Sequence, residues 1–90
     1  MNDIVYLLTG WDTLVVSRTP SSIIKTLQRE KRKALKFKRE GRQRKEYIER
    51  SRREWKETIE MAQDFLEGAK KPDSLQLTPG FAVFVERVKP

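Results

Sequence analysis

The 90-residue sequence contains no cysteine and no histidine. Without cysteine the fold cannot depend on a disulfide, and without either residue the chain lacks the usual ligands of zinc, copper and haem. The absence of histidine also removes the common general base of catalysis at neutral pH. These absences are typical of a protein from a reducing compartment, so we expect no cofactor, no bound metal and a cytoplasmic location.

Long hydrophobic runs are also absent. A membrane-spanning helix needs about 20 consecutive apolar residues, and no stretch of this chain approaches that length. The segment Met1-Asn2-Asp3 carries no basic residue, and the apolar stretch after it stops at Gly10. We therefore expect neither a signal peptide nor an association with membranes.

Motifs of catalysis are missing as well. The sequence has no phosphate-binding loop, no glycine-rich dinucleotide turn, no HExxH and no nucleophile elbow. Glu60 and Asp64 lie one helical turn apart, but such carboxylate pairs are common on helix surfaces and do not by themselves define a magnesium site. Zinc-finger, ribonucleoprotein and leucine-zipper signatures are equally absent. We expect no enzymatic activity.

Positive charge, by contrast, is plentiful and confined to one block. Between Lys25 and Lys56 there are 15 Lys and Arg against 5 Asp and Glu, whereas the rest of the chain holds 5 against 8. The formal net charge of the whole chain is +7. A block of one sign favours a polyanionic or strongly acidic partner over a role in solubility alone.

Both ends of the chain have the composition of β-strands. Apolar and β-branched runs around turn residues predict one hairpin within residues 1–19 and another within residues 71–90. A Pro-Gly pair in the second turn predicts a positive φ at Gly80. Because the N-terminal runs are almost continuously apolar, we expect one or both of their strands to lie centrally or to be covered on two faces.

The segment 20–70 is predicted to be helical. Thr19 is placed to act as the N-cap through its hydroxyl, and Pro20 suits the first helical position, where its missing N–H is not needed. Strong helix formers follow until Gly68 and Pro72, which are typical of a helix end.

Two architectures fit this helical segment. One is a single protruding helix of about 48 residues, roughly 70 Å long. The other, which we favour, is a helical hairpin that turns at Gly41 in the left-handed conformation. Trp55 and Tyr47 then belong to a core-facing stripe on the second helix. The hairpin predicts three facing pairs nearly symmetric about Gly41: Ile24 with Ile59, Leu27 with Trp55, and Leu35 with Ile48.

These elements together predict an α+β fold in one domain of residues 1–90. A small antiparallel sheet from both chain ends packs on the long helical segment, and its basic part protrudes. Because the apolar fraction is only 37%, the core is small, and burial against a second copy in a homodimer would add to it.

The candidate binding residues are cations that recur at three- and four-residue intervals. On an ideal helix, those of the first half cover about a third of the circumference, away from the apolar side. Lysine and arginine at phosphates release condensed counterions, and arginine also forms bidentate contacts with phosphates and guanine edges. The predicted nucleic-acid-binding residues are Lys25, Arg29, Arg32, Lys33, Lys36, Arg39, Arg42, Arg44, Lys45 and Arg53.

Other residues of the block are consistent with a solvated helix surface that has no dedicated ligand. Glu46 and Glu49 stand four residues before Arg50 and Arg53, a spacing that favours ion pairs along a solvated helix. Phe37 lies near the edge of the basic stripe. It could stack on a base or anchor a protein contact, but packing in the core or a dimer is the commoner role of such a residue.

The sequence therefore supports two hypotheses of function. In the first, a non-catalytic protein binds DNA or structured RNA through phosphates, with little base specificity. In the second, a small regulatory or inhibitory protein docks the same basic arm on an acidic surface of a partner protein.

Overall fold

The chain folds into a four-stranded sheet and two helices. The computed structural model describes residues 4–10, 12–41, 44–77 and 80–88. The strand order is β2-β1-β4-β3, and each neighbouring pair is antiparallel, which confirms the predicted α+β fold with a sheet from both chain ends. In chain order the elements are β1 (Ile4–Thr9), β2 (Leu14–Ser17), α1 (Pro20–Glu40), α2 (Lys45–Gly68), β3 (Asp73–Leu77) and β4 (Phe81–Arg87).

The two hairpins of the sheet meet through β1 and β4, where Leu8 pairs with Val83. Phe81, Val83 and Val85 are all buried on one face, as their alternation predicts. β1 is central, which confirms the expectation that one or both N-terminal strands lie centrally or are covered on two faces. β2 is an edge strand, and its alternate side chains are exposed because the helices pack on the opposite face of the sheet.

The start of α1 follows the predicted pattern in position but not in hydrogen bonding. Thr19 is the N-cap residue and Pro20 opens the helix, yet the Thr19 hydroxyl caps no backbone N–H. It lies instead 3.1 Å from the Ser22 hydroxyl and 3.3 Å from that of Ser17. The prediction of a capping bond is therefore wrong, because the Thr19 hydroxyl forms hydrogen bonds with neighbouring hydroxyls instead.

The helical segment forms a hairpin, which excludes the single long helix. The left-handed conformation predicted for Gly41 is wrong, since its φ is −76°. Its N–H donates to the Phe37 carbonyl at 2.9 Å, so Gly41 continues the last turn of α1 in a backbone conformation open to any residue. The connection extends past it to Arg44, which is the N-cap of α2.

The two helices meet further along α2 than symmetry about Gly41 predicts. Lys38 Nζ donates to Ser51 Oγ at 2.9 Å, and Ile24 shares a surface groove with Gln63 and Leu66. The predicted pairs, which were symmetric about Gly41, are therefore wrong. They placed each residue of α1 opposite a residue of α2 that comes more than one helical turn before its observed neighbour. The difference arises because the turn includes residues beyond Gly41.

The core fills the space between the sheet and the proximal halves of the helices. Trp55 of α2 packs edge-on against Phe81 of β4, with ring centroids 5.6 Å apart. Further out, in the described residues between 28 and 53, only Leu35 and Ser51 are buried. We call this part of the two helices, between residues 28 and 53, the distal hairpin. It extends past the sheet, in a molecule 50 Å long and 22 Å wide. The buried core residues are Leu8, Ile23, Leu27, Trp55, Ile59, Ala62, Leu66, Leu77, Phe81, Val83 and Val85.

Gly10 is required by close packing at the end of β1. A Cβ at this position would lie 2.6 Å from Cε1 of the buried Phe81 ring. We expect Gly10→Ala to lower the free energy of unfolding by about 1–3 kcal/mol, since the ring is held by Trp55. Gly68→Ala is the control, because nothing lies within 4 Å of its Cβ position, and it should be neutral or stabilising by up to about 1 kcal/mol. Urea unfolding measures both, and equal stability of the two variants would contradict the packing at Gly10.

Candidate nucleic-acid interface

The outer side of α1 carries a row of cations directed away from the core. The helical repeat turns these residues opposite Ile23 and Leu27, which are fully buried. Every member of the row is exposed, and we call it the cationic face of α1. Its members are Lys25, Arg29, Arg32, Lys36 and Arg39.

Lys33 borders this face and is also exposed. Its Nζ lies 3.7 Å from a carboxylate oxygen of Glu30, whose side chain is 19% exposed. Glu30 and Lys33 both line a cleft beside the face. Lys33 is therefore partly neutralised, and it contributes less to the external field than the five residues of the cationic face.

The charge balance differs sharply between the two helices. α1 holds eight Lys and Arg against two Glu, whereas α2 holds five Lys and Arg against seven Asp and Glu. The positive charge of the basic block therefore resides on α1 and at the hairpin tip. The block looks uniform as a sequence, but only one of the two helices presents an excess of cations.

The predicted residues on α2 have mixed surroundings. Arg53 is exposed, but Glu49 and Glu57 lie one turn away on the same side of the helix. Lys45 lies 4.0 Å from the Glu49 carboxylate. These two cations extend the positive surface only at the end nearest the tip, where Arg44 is also exposed. Arg42 lies outside the described residues.

The arginines of the described segments form no ion pairs. Besides the two pairs already given, the described residues contain one more, between Lys36 and Glu40 at 3.9 Å, and both of its side chains are well exposed. The pairs expected of Arg50 and Arg53 with Glu46 and Glu49 do not form. The guanidinium groups on α1 thus keep their charge and their hydrogen-bond donors available for a ligand.

Two lysines of α1 lie on the side of the helix away from the cationic face. Lys38 donates to the buried Ser51 hydroxyl, and Lys31 is half-buried on the same side of the helix. Both stand where an apolar residue of the helix seam is expected. Their chains can lie along the apolar side while the charged ends remain near solvent. Neither belongs to the predicted binding set.

Exposed aromatic side chains lie beside the cations. Phe37 is 77% exposed, so packing in the core of its own chain, the commoner role, is wrong for this residue. Tyr47 is 50% exposed although its spacing predicts a core position, and the Arg50 guanidinium lies 5.9 Å from its ring centroid. Both lie in the distal hairpin, where the sheet no longer covers the helices.

A cleft of about 550 Å³ opens next to Phe37, between α1 and the turn that joins β1 and β2. The buried rings of Trp55 and Phe81 form part of its lining, and Asp12 lines it from the turn. Sequence reasoning missed this cleft because its residues come from four separate elements. The only sequence signal was the position of Phe37 at the edge of the basic stripe.

The described residues contain no group of three or more carboxylates that could hold a metal ion. None of the described helices has an apolar stretch long enough to cross a membrane. The searches of family models, curated proteins and solved structures found no match to this chain. The function is therefore inferred from the geometry and charge of the molecule.

Proposed function

We propose that this protein is a non-catalytic nucleic-acid-binding protein that contacts phosphates through the cationic face of α1. The observation that carries the proposal is a row of five exposed cations on one side of a helix. Among the residues that the structure describes, only Lys36 of this row has an acidic partner within 4.0 Å. Such a row is costly to maintain without a ligand, because like charges one turn apart repel each other. A polyanion removes that repulsion and releases counterions on binding.

The dimensions of the helix suit a nucleic-acid groove or backbone. From Lys25 to Arg39 the rise of α1 is about 21 Å at 1.5 Å per residue. A helix is about 10–12 Å across with its side chains, close to the ~12 Å width of the major groove of B-DNA. The face points away from the core, so the sheet does not lie between these cations and a duplex.

Base specificity is expected to be low. All five members of the face are lysine or arginine, whose commonest contacts are with phosphate oxygens. Asparagine and glutamine are the uncharged side chains that read adenine edges, and Gln28 is the only one of either type within α1. DNA and structured RNA are both suitable ligands, and a regulatory role in the cytoplasm fits binding of this kind.

Titration of labelled duplex DNA, single-stranded DNA and RNA at two salt concentrations tests the proposal. We expect micromolar or tighter binding to at least one of them, little dependence on sequence, and a steep loss of affinity at the higher salt concentration. Absence of binding to all three ligands at moderate salt would contradict the proposal.

The exposed aromatic residues favour a second candidate function. Tyr47 lies beside Arg50, and Phe37 is exposed next to Lys33 and Lys38 at the cleft. Aromatic residues and arginine dominate the binding energy of protein interfaces. The same arm could therefore dock on an acidic protein. A pull-down from lysate treated with nuclease separates the two functions. Recovery of one acidic protein in stoichiometric amount, with no binding to nucleic acid, would favour docking.

A further inference from the structure

The face of the sheet that points away from the helices is largely apolar. We call it the outer face, and it contains the alternate strand residues that do not point toward the core. Leu14 and Val16 of β2 are 69% and 60% exposed. The members of the outer face are Val5, Leu7, Thr9, Leu14, Val16, Ser74, Gln76, Ala82, Phe84 and Glu86.

The strand register joins these apolar side chains into one patch. Leu7 pairs with Val16 on one side and with Phe84 on the other, so three large apolar residues form a row across β2, β1 and β4. Leu14 and Ala82 flank the row through their common partner Thr9. The polar members lie mainly on β3 and at the end of β4.

A sheet with one solvated face normally alternates apolar and polar residues. Here β1 and β2 are apolar at nearly every position, which is the pattern of strands that are covered on both faces. Within the described residues the helices cover only one face. We propose that a second copy of this chain covers the other, so that two sheets pack with their outer faces together in a symmetric homodimer.

The charge distribution makes the outer face a surface on which two copies of this chain can meet without bringing their cations together. The chain carries +7 and repels itself, but the outer face contains no lysine or arginine, and its one charged residue is Glu86. The cationic face of α1 points away from the core, on the side of the molecule opposite the outer face. Packing the outer faces together therefore keeps the two cationic faces apart, and the contact is isologous, as in most homodimers.

The size of the patch sets the strength of the dimer. Four strands ~4.8 Å apart and five residues long span a flat area of roughly 300 Å² per copy. Side chains make the accessible surface larger than this flat area, so two copies would together bury roughly 1,000 Å² of accessible surface. That area is at the low end for specific interfaces. We therefore expect a dimer that forms at high micromolar concentration and dissociates on dilution. This inference does not depend on the proposed function.

Sedimentation equilibrium over a dilution series, without nucleic acid, tests the dimer. We expect the wild-type mass to fall from twice the chain mass to the chain mass on dilution. Val16→Lys and Leu14→Lys should remain monomeric at all concentrations, because a lysine buried in the apolar interface loses its hydration. Met61→Lys is the control, because the substitution adds the same charge at a residue of α2 that is 51% exposed and lies outside the outer face. This variant should dimerise like the wild type.

Circular dichroism verifies that each variant is folded. If the lysine variants do not fold, Val16→Ser tests the interface in their place. Val16→Ser should reduce the dimer fraction without adding charge. A wild type that is monomeric throughout the series would overturn the proposal. Folded Val16 and Leu14 variants that dimerise as strongly as the wild type would overturn it as well, because the dimer would then use another surface.

Discussion

Replacement of Arg29, Arg32, Lys36 and Arg39 by glutamine is expected to weaken binding to duplex DNA by roughly 10²–10³-fold at ~0.15 M salt. The four residues lie on the cationic face of α1, and each contact with a phosphate releases about one condensed counterion. The loss should be nearly the same for every DNA sequence, since phosphates carry no sequence information. Fluorescence anisotropy with two unrelated duplexes of equal length measures it.

A variant with the same change in net charge provides the control for this result. Replacement of four exposed cations outside the face with glutamine should weaken binding by less than about 10-fold, through the loss of long-range attraction alone. Equal losses in the two variants would mean that net charge, and not the cationic face of α1, determines affinity. The control residues are Lys56, Lys70, Lys71 and Arg87.

Phe81→Ala is expected to lower the free energy of unfolding by about 3–5 kcal/mol. The ring is 8% exposed and packs edge-on against Trp55, so its removal leaves a cavity where the sheet meets α2. A domain of 90 residues has a total stability of about 5–13 kcal/mol. The substitution therefore removes a large share of that stability, which urea unfolding followed by circular dichroism can measure.

Phe37→Ala makes the same chemical change at an exposed position. Phe37 is 77% exposed, so its truncation should alter the free energy of unfolding by no more than about 0.5 kcal/mol. A destabilisation by Phe37→Ala as large as that of Phe81→Ala would show that the distal hairpin is packed against other parts of the chain. The projection of the hairpin beyond the sheet would then be wrong.

The sequence predicts the elements of this fold well because each one depends on local signals. Pro20 marks the start of α1, and the positive φ of 103° at Gly80 follows from the turn chemistry of a Pro-Gly pair. The alternation of Phe81, Val83 and Val85 predicts their common burial. These signals involve neighbouring residues and do not require knowledge of the tertiary structure.

The errors concern features that depend on how far the core extends. Tyr47 has the spacing of a core residue, but it lies beyond the end of the sheet, and spacing along a helix cannot show where the covering layer stops. The same limit applies to Phe37, which borders the cleft next to the sheet but remains exposed. The facing pairs of the hairpin were displaced because one glycine does not define the length of a turn.

The sequence predicts which types of residue form the candidate site, but it predicts only in part which of the two helices carries them. Helical spacing alone places the five cations of α1 on one side, and the structure exposes all of them. The difference between α1 and α2 depends on the helix boundaries, because the acidic residues from Glu57 to Glu67 belong to the same helix as Arg53. Without those boundaries, the residues from Lys45 to Lys56 look like a continuation of the cationic block, with five Lys and Arg against three Glu.

The salt dependence of nucleic-acid affinity is the most direct test of the cationic face. A plot of log Kobs against log salt concentration for the wild type should have a slope of about −4.5 if five phosphates are contacted. The variant with glutamine at Arg29, Arg32, Lys36 and Arg39 should have a slope less steep by about 3.6, since four contacts are lost. The same slope for the variant and the wild type would contradict the assignment of phosphate contacts to α1.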